Sequence, residues 1–214
     1  MSQRRIKARQ ASQKYTNPIK DKKDINNLLK NLKSKYEHAR SPQKKYQADR
    51  NWMLVLVALN TAFRAEDLIQ LRVEDLEKGY IHIKESKTGK VQNFPMNKQF
   101  KKEVLDYIER NGLTSSDYMF LGQQKKQGGE PYCNPITKQQ ARNFINKACK
   151  EVGIKKRVGL HGLRKTFGYQ YIARGGNPET LRKMFNHSDV SVTERYIMWN
   201  TTDAENDRKD IYIG

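Results

Sequence analysis

Tyr80-Ile81-His82-Ile83-Lys84-Glu85-Ser86-Lys87-Thr88-Gly89-Lys90-Val91-Gln92-Asn93-Phe94-Pro95 marks a change of hydrophobic period within a chain of 214 residues. Tyr80–Lys84 alternates apolar with polar, and so does Val91–Pro95. Alternation places successive side chains on opposite faces of a strand. The segment between, Ser86-Lys87-Thr88-Gly89-Lys90, is a polar turn. Two such runs around such a turn predict a β-hairpin with a basic tip.

Outward from the hairpin, the period is helical in both directions. Upstream, Asp21 to about Tyr36 carries Ile25, Leu28, Leu29 and Leu32 on one face. Ser41-Pro42 then reads as a break. Trp52–Leu59 is apolar nearly all round and predicts a buried helix; a further helix is expected over Ala65–Leu71, with Leu68 and Leu71 inward. Downstream, helices are expected at about 98–110, 136–150, 162–173, 179–185 and 190–199, with Gly128-Gly129-Glu130-Pro131 as the clearest loop. The fold class is therefore mainly α with a small antiparallel β-sheet. The expected organisation is a basic, flexible arm over 1–20, one domain over 21–200 and a tail over 201–214.

Charge narrows the partner. The chain holds 42 Lys and Arg against 23 Asp and Glu, a net +19. Residues 1–50 alone carry 15 basic and 4 acidic residues, so the excess is concentrated at the start. A polyanion such as nucleic acid is the natural partner for such a surface; a lipid surface, or simple solubility, is the other reading. The start reads as an arm on phosphate backbone or as a solvated tail. Arg4, Arg5, Lys7, Arg9, Lys84 and Lys90 are the candidates for backbone contacts with DNA. Cys133 and Cys149 lack metal-ligand spacing and read as reduced thiols. With no signal peptide and no apolar run near the roughly 18 residues that span a bilayer, a cytoplasmic, nucleoid-associated protein is expected, away from membranes. The chain has no phosphate-binding glycine loop, no His-Glu-x-x-His and no Cys/His cluster, so neither a metal nor another cofactor is expected.

Four short stretches carry side chains suited to phosphate chemistry. In Leu160-His161-Gly162-Leu163-Arg164-Lys165, His161 and Arg164 stand three apart and share a helix face. A guanidinium grips two phosphate oxygens while a neighbouring imidazole donates or moves a proton. Taken alone, such a pair reads equally well as an exposed couple. His187 follows in Phe185-Asn186-His187-Ser188. Tyr196, in Glu194-Arg195-Tyr196-Ile197, reads by itself as a tyrosine at the edge of a core. Arg64 comes directly after the apolar helix, where a cation is costly unless paired or bound to an anion; Asp67 is placed to hold it.

The ordered set Arg64, Lys87, His161-x-x-Arg164, His187 and Tyr196 resembles the tyrosine recombinases, or phage integrase family, over about Asp21–Trp199. The resemblance implies that family's catalytic-domain fold. It further implies a site-specific recombinase that cleaves and rejoins DNA through a 3′-phosphotyrosyl link, without metal or ATP. In that scheme Arg64 and Arg164 bind phosphate and Lys87 is the hairpin-tip general acid. His161 is the general base, His187 donates to phosphate, Tyr196 is the nucleophile and Asp67 props Arg64. The chain departs from the family at Ala62 and Asn186, where glycine is common. Ala62 is expected in helical backbone, and Asn186 in a left-handed turn that asparagine tolerates. Only an arm and one helix precede the domain, a form that resembles recombinases inverting or integrating small bacterial elements. Double-stranded DNA is the implied partner, bound by a dimer or tetramer assembled from free monomers. The alternatives are a non-cleaving DNA-binding accessory protein or repressor of the same fold, a topoisomerase with the same tyrosine link, and a general nucleoid protein. The alternating Asp210-Ile211-Tyr212-Ile213 suggests a segment that docks on a neighbouring protomer; a frayed tail is the other reading.

Overall fold

The computed structural model describes residues 16–127, 130–200 and 203, with the side chains of all of these except 77, 78, 123–127 and 130–133. Two antiparallel helices open the body. Helix α1 (Lys22–Glu37) is capped by Asp21, whose carboxylate accepts from the Lys23 amide at 2.7 Å, and buries Leu28 and Leu32. Helix α2 spans Pro42–Thr61 and so begins ten residues before the expected Trp52. Ser41-Pro42 is a start, not a break. The Ser41 hydroxyl accepts from the Lys44 amide, and proline in the first turn gives up an N–H that has no helical partner there. The polar half of α2 buries Asp49, which Arg110 grips through both carboxylate oxygens at 2.7 Å, with Asn111 donating at 2.7 Å.

A short helix α3 (Ala65–Gln70) and a 3-10 turn (Glu74–Gly79) lead into β1 (Tyr80–Lys84) and β2 (Val91–Pro95). The hairpin lies where its alternation puts it, with Ile81 opposite Phe94 and Ile83 opposite Gln92. Ile81 and Ile83 face the core, and the Phe94 ring meets Phe63 at 6.0 Å. Helix α4 (Lys98–Arg110) is capped by Asn97 and buries Phe100, Val104 and Tyr107. Next comes an element that the sequence reading lacks: a second antiparallel hairpin of β3 (Leu121–Gln127) and β4 (Glu130–Pro135). The fold thus has two small sheets among the described residues, not one. Of the expected loop, Gly128 and Gly129 lie outside those residues, while Glu130 and Pro131 belong to β4.

Helix α5 (Lys138–Glu151) starts in a reciprocal capping box between Thr137 and Gln140. Helix α6 (Gly159–Ile172) runs through the interior with Leu160, Leu163, Arg164, Lys165, Thr166 and Gln170 all buried. Helices α7 (Pro178–Phe185) and α8 (Val190–Ile197) follow, capped by Asn177 and Asp189. One large core joins α1 to α6 and the first hairpin. A smaller cluster, Ala62, Leu181, Phe185 and Ile197, carries the last two helices against α6. Gly168 lets them in: a Cβ there would stand 2.6 Å from Ile197 and 2.8 Å from Phe185.

Residues 16–20, expected within the arm, are packed. Ile19 is buried and its amide donates to Thr166 Oγ1 at 2.8 Å, while Gln170 donates to the Lys20 carbonyl at 2.6 Å. The ordered body therefore reaches back at least to Thr16. The remaining arm, and the segment 210–213, lie outside the described residues. No helix among the described residues is long and apolar enough to cross a membrane.

Candidate active site

Two helix C-termini meet behind one cleft. Helix α2 ends at Ala62, with φ 57° and ψ 24°. The expected helical backbone is therefore absent there; the chain turns left-handed so that it can enter α3, a conformation that strains any residue with a Cβ. The turn presents the Ala62 carbonyl to Arg164 Nη1 at 2.7 Å. Helix α7 ends at Asn186, left-handed as expected at φ 54°. Its last carbonyl, of Phe185, accepts from Arg164 Nη2 at 3.0 Å and from Arg64 Nη2 at 3.2 Å. Carbonyls at helix C-termini lack internal partners and carry the negative end of the helix dipole, so they hold guanidinium groups well. Arg164, only 3% exposed, also lies over the Phe185 ring at 4.5 Å.

The expected partner of Arg64 is not the one found. Asp67 turns instead to the hairpin, accepting from the Ser86 amide at 2.8 Å and its hydroxyl at 2.7 Å. Arg64 pairs with Glu85, which is fully buried and also accepts from Thr88, Gln92 and Asn186. The correction has a geometric cause. Arg64 precedes α3 as its N-terminal cap, in extended backbone with ψ 155°, so the three-residue helical spacing to Asp67 does not apply.

Arg64, Lys87, His161, Arg164, His187 and Tyr196 all line one open cleft of about 880 Å3, together with Ser86, Thr88 and Ser188. Lys87 stands exposed in the hairpin turn. Lys84 and Lys90 are exposed on the same hairpin but do not line the cleft, and Arg4, Arg5, Lys7 and Arg9 lie outside the described residues. His187 Nδ1 is 3.0 Å from Thr193 Oγ1, and its ring meets Phe185 and Tyr196 edge-on at 5.3 and 5.2 Å. Burial, reinforced by Arg164 and Arg64, pushes the His187 imidazole down to about 4, so it is neutral near pH 7. His161 is at the rim. Partial desolvation against the cleft wall lowers its imidazole too, with Arg164 acting the same way and Glu66 opposing. Tyr196 is held on α8 between Phe185 and His187, and burial raises its phenol above the ordinary range while Arg164 and Arg64 pull it back.

This assembly of two arginines, two imidazoles, a lysine and a phenol is built on a fold that other proteins share. The chain matches the phage integrase family over residues 20–202. It belongs to that family. The probable integrase/recombinase YoeC of Bacillus subtilis is 30% identical over 149 residues, covering 69% of this chain and 77% of YoeC. The crystal structure of XerA recombinase superposes with a TM-score of 0.69 at 18% identity, covering 94% of this chain and 66% of that one. XerH site-specific recombinase, solved bound to its palindromic difH substrate, gives 0.65 at 18% identity, over 92% and 54% of the two chains. The chain therefore spans three quarters of YoeC, two thirds or less of these two recombinase chains, and about half the length of other curated tyrosine recombinases that it matches. By family the chain is a phage integrase homologue, and proteins named tyrosine recombinase are among its relatives.

Two buried charged residues beside the cleft, Glu85 and Lys165, are not among those singled out from the sequence. Glu85 follows Ile81 and Ile83 at the inward parity of β1, so a signal existed: a carboxylate at a core-facing position requires a cation. Lys165, 8% exposed, donates to the Thr16 carbonyl at 2.9 Å and lies 5.2 Å from the Tyr196 ring centre. Nothing local distinguishes it from a surface lysine. The two tyrosines of α6 are packed: Tyr171 stacks on Phe167 at 6.3 Å, and Tyr169 meets Trp199 and donates to Asp203 at 2.7 Å.

Proposed function

We propose that this recombinase cuts and rejoins double-stranded DNA with Tyr196 as nucleophile. The observation that carries the reading is the convergence of six groups from five separate stretches of chain on one cleft, with both guanidinium groups fixed from behind. Tyr196 Oη forms a bond to phosphorus as the bond to the 5′ oxygen breaks. The phenol arrives protonated, because burial raises it, so a base must take its proton during attack. His161, neutral near pH 7, is that base. Arg64 and Arg164 stabilise charge on the non-bridging oxygens, and neutral His187 donates one hydrogen bond to them. Exposed Lys87 protonates the departing 5′ oxygen. The products are a 3′-phosphotyrosyl link and a 5′ hydroxyl, and the reverse attack reseals the strand without ATP.

Duplex DNA as partner is supported by the basic surface and by the DNA-bound XerH relative. Recombination joins two duplexes, so a dimer or tetramer on DNA is part of the proposal, as are a backbone-binding arm over residues 1–15 and a docking role for 210–213. The test starts from a DNA site selected from random sequence by binding to the full chain. Nicked duplexes carrying that site trap any covalent adduct, and mass spectrometry maps the attached residue. The expected result is an adduct on Tyr196, lost in Tyr196→Phe while DNA affinity stays within about threefold. An adduct on Tyr169 or Tyr171, or none with any selected site, would overturn the reading.

A further inference from the structure

The carboxylate of Glu85 takes no part in the chemistry just described, yet it is 1% exposed and lies against the cleft wall. Burying a charge is costly, and here the cost is met by donors from separate parts of the chain. Arg64, at the start of α3, pairs with Oε2. The Asn186 side-chain Nδ2, from the end of α7, donates to Oε2 at 2.9 Å, and the Thr88 hydroxyl, from the hairpin turn, donates to the same oxygen. Gln92, on β2, donates to Oε1 at 2.6 Å and reaches on to the Met184 carbonyl at 3.3 Å. Burial pushes the Glu85 carboxyl up, but the bonds from Thr88, Arg64 and Gln92 outweigh it and hold it below the ordinary range. It is an anion at neutral pH.

Three of the four donors are site residues or adjoin one, and Arg64 is itself in the cleft. Thr88 follows Lys87, and Asn186 precedes His187. Ser86, next in the chain to Glu85, is fastened to Asp67 of α3. We propose that Glu85 is a positioning residue that sets Arg64 and places the Lys87 turn and the His187 end of α7 relative to it. This rests on reading Arg64 as a phosphate-binding group. It goes further in making one buried anion the common reference of three cleft residues. The anion has a second effect: it subtracts positive charge from the wall that meets DNA. Positioning and attraction therefore have opposite signs, and this separates the proposal from a purely structural role.

The experiment uses the full chain and the selected nicked duplex, and compares wild type with Glu85→Gln, Glu85→Asp, Arg64→Ala and the Glu85→Gln/Arg64→Ala pair. Single-turnover adduct formation at saturating protein, DNA affinity at fixed salt and thermal melting are measured for each. Glu85→Gln should slow adduct formation by about 10- to 100-fold, the scale of a misplaced reacting group, with affinity unchanged or tighter. Glu85→Asp, which restores the charge on a shorter stem, should recover part of the rate. On the Arg64→Ala background, Glu85→Gln should cost less than it does alone, because part of its effect runs through Arg64. The proposal is overturned if folded Glu85→Gln cleaves at the wild-type rate, if rate and affinity fall together with melting temperature in both Glu85 variants, or if the two losses simply add. Arg64→Ala separates the levels. If Arg64→Ala alone cleaves normally, the phosphate-binding reading of Arg64 fails; if it is slow while Glu85→Gln is normal, only the positioning role does.

Discussion

The cleft has a fixed wall and an open wall. Arg64 and Arg164 are tied to the ends of two helices and to a buried carboxylate. Lys87 is exposed in a turn and His161 sits at the rim. The division follows the chemistry proposed for each group. Charge stabilisation is most effective when donors are already in place and need no reorganisation as the transition state forms. Proton transfer needs reach and a pKa near the working pH, and it tolerates a group that swings in with the substrate.

The contrast is sharpest at Arg164. Arg164→Ala should slow adduct formation by roughly 100-fold or more. It should also destabilise the fold by about 1–3 kcal/mol for the Ala62 carbonyl, which is left without its donor, while the Phe185 carbonyl keeps Arg64. Denaturant melts and single-turnover assays on one preparation check both. A stable but inactive variant would mean that the fixed wall is not needed for folding.

Lys87→Ala is the matching probe of the open wall. Adduct formation should fall by on the order of 100-fold, the lower range for a general acid, with melting temperature unchanged. A substrate whose leaving group needs no proton should recover most of the loss. Failure of that rescue would remove Lys87 from proton transfer. The smallest effect concerns His187, on the fixed side. Its imidazole titrates at about 4 in the fold and near 6.5 when unfolded. Above pH 6.5 it is neutral in both states, and its contribution is fully present. As pH falls towards 4, the unfolded chain takes up the proton first and that contribution drains away. The slope of stability with pH between 6.5 and 4 should therefore be shallower in His187→Asn. An unchanged slope would show that other groups carry the acid sensitivity.

The first hairpin and α4 were legible in the sequence because local signals agree there: alternation, a turn with glycine, and a return to helical period after Pro95. The second hairpin was not legible, since Leu121-Gly122-Gln123-Gln124-Lys125-Lys126-Gln127 has no apolar alternation to read. Ser41-Pro42 misled because a proline that stops one helix also starts another. In the site, the six cleft residues could be named from motif and order, but their supports could not. The left-handed turn at Ala62 and the exchange of Asp67 for Glu85 depend on how α2, α3 and the hairpin meet. Those relations are set by packing between distant segments, not by spacing along the chain.

The bond from Lys165 to the Thr16 carbonyl has a practical consequence for handling this molecule. Thr16 holds the ammonium of Lys165 on α6, which lies 5.2 Å from the centre of the Tyr196 ring, so a tag or fused domain placed upstream of residue 16 is tethered one side chain away from the nucleophile. Trimming that stops short of Thr16 leaves the anchor intact. Trimming to residue 20 strips a buried ammonium of its acceptor, and damage of that kind would be mistaken for loss of contact between the arm and DNA.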